Sequence, residues 1–359
     1  MTINDRARQA AQDVREAIGA PGMRGPTDAD DLERFDRFRS RRQRSQRLGA
    51  MLLATVLTAA AIALVVRAFG PGRAVRPAIP KPPGGTILFG RWDPNIQQGH
   101  WFTISADGSD VRDLHVVATC AQWWPDGSKI LITNDAAVGP GTPLRPATIR
   151  PDGSGLHPLD ATKDPNLNLG CGDVSPDGRR IVLEGFGNLA ERGLYLVRAS
   201  DGGHAIRLTY GSNANPQFSP DGSQVVFLRT KVGVLPDGAG ALFVVNTDGT
   251  GLRRITPWGY AFLDQAWSPD GRWIVFQRPY GRLYLVHPDG SGLHEVPIPF
   301  PAGTGGVEPS WSPDGRWIVF SLQGIGQPRI AMVRPDGSGL RRVPGIPGGM
   351  TGPDWGRGS

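Results

Sequence analysis

The ten residues WSPDGRWIVF occur at Trp267–Phe276 and again, 44 positions later, at Trp311–Phe320. A decapeptide repeated within one chain marks an internal repeat, and its period constrains the fold before any single residue is given a role. Diverged copies are WWPDGSKILI from Trp123, VSPDGRRIVL from Val174 and FSPDGSQVVF from Phe218. The lead residues 123, 174, 218, 267 and 311 are therefore 51, 44, 49 and 44 apart, and a further step of 44 lands on Trp355 in the terminal PDWGRGS. A second element alternates with the first: ISADGSDVRDL, IRPDGSGLHPL, VRASDGGHAIRL, VNTDGTGLRRI, VHPDGSGLHEV and VRPDGSGLRRV, starting at Ile104, Ile149, Val197, Val245, Val286 and Val333.

Each unit reads as four short strands. From Trp267, a strand ends in WS, Pro-Asp-Gly makes a tight turn, and RWIVF returns as the second strand. After a variable loop, RLYLV is the third strand, HPDGSG a second turn and LHEVP the fourth strand. Proline presets φ, aspartate bonds back to nearby backbone N–H groups, and glycine takes the position with positive φ. Asp126, Asp177, Asp221, Asp270 and Asp314 resemble an acidic array for metal or catalysis, but turn chemistry accounts for each of them in a separate unit.

A four-stranded unit repeated radially is a propeller blade. Second strands (TILFG, KILIT, RIVLE, QVVFL, WIVFQ, WIVFS) number six, while first strands ahead of a turn number five plus the segment at Trp355. The first unit lacks its own first strand and the C-terminal segment supplies one, which removes the exposed sheet edge. The fold class expected is all-β: a six-bladed β-propeller closed by N- and C-terminal strands, over residues 86–359. The (W/F)SPDG…DGxGL pattern resembles the WD40-like PD40 repeats of the TolB-type propeller. That resemblance implies a protein-interaction platform outside the cytoplasm. The periplasmic Tol component of that family has an α/β domain ahead of its propeller and is released after export; neither feature is read here.

Ahead of the repeats, LGAMLLATVLTAAAIALVV (Leu48–Val66) is nineteen residues without charge or proline. As a helix it reaches about 28 Å, close to a bilayer core, and it has no polar face. It is read as one transmembrane helix. RFDRFRSRRQRSQR before it carries seven arginines (Arg34, Arg37, Arg39, Arg41, Arg42, Arg44, Arg47) against one acid. The positive-inside bias then makes residues 1–47 a cytoplasmic basic segment, and the propeller extracytoplasmic on a single-pass cell-membrane anchor. Residues 67–85 are a Pro/Gly linker.

Residues 1–67 carry twelve arginines against eight acids, and the remainder 27 basic against 25 acidic residues. The repeat region is close to neutral and lacks the basic face a phosphate backbone needs, so no nucleic-acid partner is expected. There is no G-x-S-x-G elbow and no H-E-x-x-H pair. His157 and His294 fall at matching fourth-strand positions of different blades, and His100, His115, His204 and His287 are scattered, so no metal centre and no cofactor are expected. Cys120 and Cys171 each lie five residues before the proline of their motif, at equivalent places in successive blades. Equivalent side chains in a ring point the same rotational way, so two thiols are expected rather than a bridge.

Turns between first and second, and third and fourth, strands share one face; the loops of variable length share the other. Binding concentrates on variable loops held by a rigid scaffold. The aromatics there, Trp92, Trp258, Tyr260, Phe262 and Phe300, are the candidate binding residues. The function expected is a non-catalytic platform for a protein or glycan. Two alternatives are a membrane sensor signalling through residues 1–47, and a polysaccharide lyase or hydrolase.

Overall fold

The computed structural model describes residues 85–93, 98–134, 145–159, 168–186, 192–230, 240–261, 264–278, 281–324, 328–346 and 350–356. The candidate membrane span and the segments flanking it lie outside the described residues, among which no helix is long and apolar enough to cross a membrane.

Among the described residues, twenty-four strands form six antiparallel four-stranded sheets. Blade 1 holds β1 (Thr86–Asp93), β2 (Gln98–Ser105) and β3 (Arg112–Ala118). Blade 2 holds β4 (Cys120–Trp123), β5 (Ile130–Asn134), β6 (Arg145–Ile149) and β7 (His157–Pro158). Blade 3 holds β8 (Asn168–Val174), β9 (Arg180–Phe186), β10 (Gly193–Arg198) and β11 (Ile206–Tyr210). Blade 4 holds β12 (Asn213–Phe218), β13 (Gln224–Arg229), β14 (Ala241–Asn246) and β15 (Arg253–Arg254). Blade 5 holds β16 (Gln265–Trp267), β17 (Ile274–Arg278), β18 (Arg282–Val286) and β19 (His294–Glu295). Blade 6 holds β20 (Gly305–Trp311), β21 (Ile318–Gln323), β22 (Arg329–Val333) and β23 (Arg341–Arg342). The last strand, β24 (Met350–Gly356), joins blade 1 in the order β24-β1-β2-β3. The six-bladed all-β ring expected from the repeat count is the observed architecture, and its closure pairs Ile87 with Trp355 and Thr86 with Gly356.

The second strands are buried on both faces because each blade is covered by a neighbour on either side. Ile274, Val275 and Phe276 are all fully buried, as are Ile318, Val319 and Phe320. The apolar clusters accordingly sit between blades. One joins Ile87, Phe89 and Trp355 of blade 1 to Trp317, Val319 and Met332 of blade 6. Another joins Val226, Leu242 and Val244 of blade 4 to Trp267, Ile274 and Phe276 of blade 5.

The turn motif explains its own sequence. In blade 5, Asp270 Oδ1 accepts from the Ser268 hydroxyl and from the Arg272 N–H, while Ser268 Oγ accepts the Trp273 N–H at 2.9 Å. Ser312, Asp314, Arg316 and Trp317 repeat the arrangement in blade 6, and Ser175 with Asp177 and Ser219 with Asp221 do so in blades 3 and 4. Serine and aspartate thus satisfy buried or turn N–H groups that the ladder cannot reach. Gly271 and Gly315 take φ of +71° and +68°, where a side chain would be strained. These hydrogen bonds hold the turn aspartates Asp177 and Asp221 below the usual carboxylate range. Each is a structural acceptor, as turn chemistry implies.

The cysteines correct the sequence reading. Cys120 and Cys171 form a disulfide between blades 2 and 3, with Cα atoms 6.0 Å apart. Equivalent side chains do share a rotational sense, but first strands lie innermost, where neighbouring blades converge. In addition, the register of β8 against β9 shifts between Leu169 and Gly172, so Cys171 sits in a bulge that re-aims it.

Two outcomes follow. Trp355→Ala should lower stability by about 3–5 kcal/mol, the range for deleting a buried aromatic, measured by chemical unfolding; removal of residues 350–356 should abolish cooperative unfolding. A thiol titration of the denatured, non-reduced protein should find no free thiol, and reduction should cost about 2–4 kcal/mol through the loop it opens.

Candidate functional site

The first strands run from the variable-loop face towards the short-turn face and line an axial channel. Three residues before each lead residue stand Cys120, Cys171, Asn215, Asp264, Glu308 and Gly352, one per blade. All six line a cavity of about 550 Å³ at the variable-loop end of the channel. Bulges put them there: the register shifts between Ala214 and Gln217 in β12, and between Val307 and Ser310 in β20. Asn215 and Glu308 adopt φ of +50° and +54°, and Gly352 +61°. Around the ring, the disulfide of blades 2 and 3 stands opposite the carboxylates of blades 5 and 6.

Each level of the channel is tied across blade boundaries. Asp354 Oδ2 accepts the Trp123 N–H and Asp173 Oδ2 the Phe218 N–H, both at 2.8 Å, and Gln217 Oε1 accepts the Trp267 N–H at 2.7 Å. Further out, Glu184 Oε1 accepts the Asn215 N–H, and Gln277 Oε1 the Glu308 N–H at 3.2 Å. Glu308 Oε2 in turn accepts the Gly352 N–H at 2.7 Å. The side chain of Gln265, only 5% exposed, donates through Nε2 to the Asn215 carbonyl, and its Oε1 has no hydrogen-bond partner.

This leaves a concentration of carboxylates in a walled space. Burial pushes Asp173 up to about 7 and Glu184 up to about 8, the latter with a further contribution from the charge on Asp264. Burial and then the Glu308 charge raise Asp264, and burial raises Asp354. Asp173, Asp264 and Asp354 are half-buried by surface exposure because the channel passes beside them; the protein surrounding that channel still deprives them of bulk hydration. No Lys, Arg or His is among the described residues lining the 550 Å³ cavity. No three His, Cys, Asp or Glu side chains among the described residues group as a metal would require.

The candidate aromatics are placed individually. Trp258 is half-buried, its ring 5.7 Å from that of Phe243, with the Arg254 guanidinium 5.8 Å from its centroid. Tyr260, also half-buried, meets Tyr284 edge-on at 6.5 Å and has the Arg278 guanidinium 4.1 Å from its ring. Phe300 meets Phe320 edge-on at 5.9 Å and packs on the core between blades 5 and 6. Trp92 lies in β1 opposite Gly99, with its side chain outside the described residues, and Phe262 is likewise outside them. Trp258, Tyr260 and Phe300 thus pack against different framework residues. Sequence reasoning missed the channel ring, although its position is readable once the repeats are aligned on their lead residues.

The pH dependence has a definite sign. The raised carboxylates keep protons in the folded state that the unfolded chain releases near pH 4, so stability falls as pH rises from about 4 to about 8. Below that window, the lowered turn aspartates lose their contribution on protonation. Melting temperature should therefore peak near pH 4–5. Glu184→Gln, which keeps an acceptor for Asn215, should flatten the decline towards pH 8; an unchanged slope would contradict the assignment.

The TolB beta propeller domain family matches residues 165–358, more than half of the chain. Among solved structures, TolB from Acinetobacter baumannii superposes with a TM-score of 0.60 at 17% identity, covering 76% of this chain and 66% of that one. A chain of the nidogen/laminin complex superposes with a TM-score of 0.57 at 10% identity, covering 77% of this chain and 100% of that one. At these identities the likeness shows the fold. A curated relative, the uncharacterized peptidase YuxL of Bacillus subtilis, is 28% identical over 107 residues, which is 28% of this chain and 16% of that protein. The repeat spacing, the closed ring and the family match agree: the chain belongs to the TolB beta propeller domain family.

Proposed function

We propose that this protein is a non-catalytic binding platform, held at a membrane by residues 48–66, whose extracytoplasmic propeller takes a protein or glycan partner on its variable-loop face. The observation that carries the reading is the contrast between the two ends of the ring. At one end, short turns repeat one hydrogen-bonded design, and their aspartates are occupied as acceptors. At the other, the channel opens into a 550 Å³ cavity lined by first-strand residues of every blade, and Trp258, Tyr260 and Phe300 lie in the loops that enter first strands. A rigid ring with a variable mouth presents ligand contacts without building a reaction centre. The disulfide is consistent with an oxidising compartment. The similar chain from the nidogen/laminin complex comes from a protein–protein assembly, which supports a protein partner.

Crosslinking on intact cells, with crosslinker placed on the variable-loop face, should capture a reproducible partner. Replacing Trp258 and Tyr260 together by Ala should reduce that capture at least fivefold, while the closed ring remains folded by circular dichroism. Equal capture by crosslinker placed on the PDG turns would reverse the assignment of faces.

A further inference from the structure

The segments leading from blade 3 to blade 4 and from blade 4 to blade 5 carry a pattern of charge as well as of shape. In blade 5, Arg278 ends the second strand with its guanidinium 4.1 Å from the ring centroid of Tyr260 and 5.2 Å from that of Tyr284. Its Nη1 donates to the Tyr284 hydroxyl at 3.3 Å. Arg229 holds the same register in blade 4, with its guanidinium 4.8 Å from the Phe243 ring. It donates through Nε to Asn213 Oδ1 at 2.8 Å and through Nη2 to the Tyr210 carbonyl at 3.0 Å. Phe243 in turn meets Trp258, which has Arg254 beside it, and the Arg207 guanidinium lies 4.2 Å from the Tyr210 ring. Guanidinium groups and aromatic rings thus alternate from blade 3 to blade 5. The fold does not require the pairing: at the register of Arg278 and Tyr284, blade 2 has Asn134 and Ala147, and blade 6 has Leu322 and Ala331. The positive charge is also largely uncompensated. Among the described residues, Arg229, Arg254 and Arg278 form no ion pair with a carboxylate, and Glu295 at the edge of blade 5 pairs with Arg282.

A ring stacked on a guanidinium covers one of its faces and leaves in-plane N–H donors for a carboxylate. Tyr210 is 73% exposed even with Arg207 against its ring, and Trp258 and Tyr260 are half-buried. We propose that this arc of the variable-loop face, from Tyr210 to Arg278, binds a linear acidic polysaccharide, with sugar rings on the aromatic side chains and uronate carboxylates on the guanidinium edges. The C–H faces of a pyranose carry partial positive charge and settle on the negative face of an aromatic ring. Guanidinium groups hold carboxylates by paired N–H bonds. A polymer with one flat ring and one carboxylate in each unit therefore matches a surface on which rings and guanidinium groups alternate. An acidic peptide supplies carboxylates without the intervening rings, and a neutral glucan supplies the rings alone. Single-stranded nucleic acid alternates both, but it belongs to the opposite side of the membrane from the oxidising compartment that the disulfide suits. The proposal rests on the variable-loop face being the binding face, and it names the class of glycan that this face takes.

The test uses the full chain in detergent at neutral pH and low salt. An alginate hexauronate, cellohexaose, hexaglutamate and hexathymidylate are titrated separately by calorimetry. Saturable binding of the hexauronate is expected, weakened by added salt, with the other three at least tenfold weaker. Replacing Arg254 and Arg278 together by Gln should weaken hexauronate binding at least tenfold. Arg329→Gln, which removes one positive charge from blade 6, should leave it within twofold. Tyr210→Ala removes an exposed ring without touching the core and should weaken binding at least threefold; it keeps the test decisive if the double variant does not fold. Three results overturn the proposal: no binding of the hexauronate, binding of cellohexaose, hexaglutamate or hexathymidylate as tight as that of the hexauronate, or full hexauronate binding by the folded arginine and Tyr210 variants. A protein partner captured by crosslinking on cells, with no hexauronate binding by the purified chain, sinks this proposal and leaves the platform reading standing. Failure of the two is therefore distinguishable.

Discussion

The structure depends on convergence at the axis. Six first strands must approach closely enough to seal a channel, yet each strand's neighbours in its own sheet lie only on its outer side. The inner backbone groups therefore need acceptors from elsewhere, and adjacent blades supply them. Asp354 reaches Trp123, Asp173 reaches Phe218 and Gln217 reaches Trp267, each accepting a backbone N–H of the next blade. These contacts make the ring one object rather than six sheets side by side. They also bring carboxylates together in an enclosed channel, and the pH behaviour of the molecule follows from their burial there.

Much of the architecture was legible from spacing alone. The decapeptide at Trp267 and Trp311, its three diverged copies and the step to Trp355 led to six blades and to closure by the C-terminal strand, and the register of Ile87 with Trp355 is that closure. Asp270 and Asp314 read as turn residues because Pro-Asp-Gly has one economical conformation, and their hydrogen bonds to Ser268 and Ser312 show that use. These are local matters, where few residues decide the outcome.

The site was less legible, for a reason that is also physical. Which way a side chain points along a first strand depends on bulges, and nothing in the letters around Asn215, Glu308 or Cys171 announces a left-handed residue or a slipped register. Equivalent positions in successive blades share a rotational sense, which argues against a bridge; the bulge at Cys171 and the convergence of first strands at the axis are what the letters do not show. The aromatic candidates stand in variable loops, but a loop aromatic has its own burial to satisfy. Phe300 does so against Phe320, and Trp258 against Phe243.

The pairing of β24 with β1 has a consequence for biosynthesis. Blade 1 is begun near residue 86 and finished near residue 356, so its sheet cannot be completed until almost the whole propeller has left the ribosome. Up to that moment the nascent chain carries one open seam, with Ile87 and Phe89 uncovered and the β1 ladder unfilled. A protein assembled in this order gains from being guarded while it is made, and its final residues act as the latch that ends that exposure.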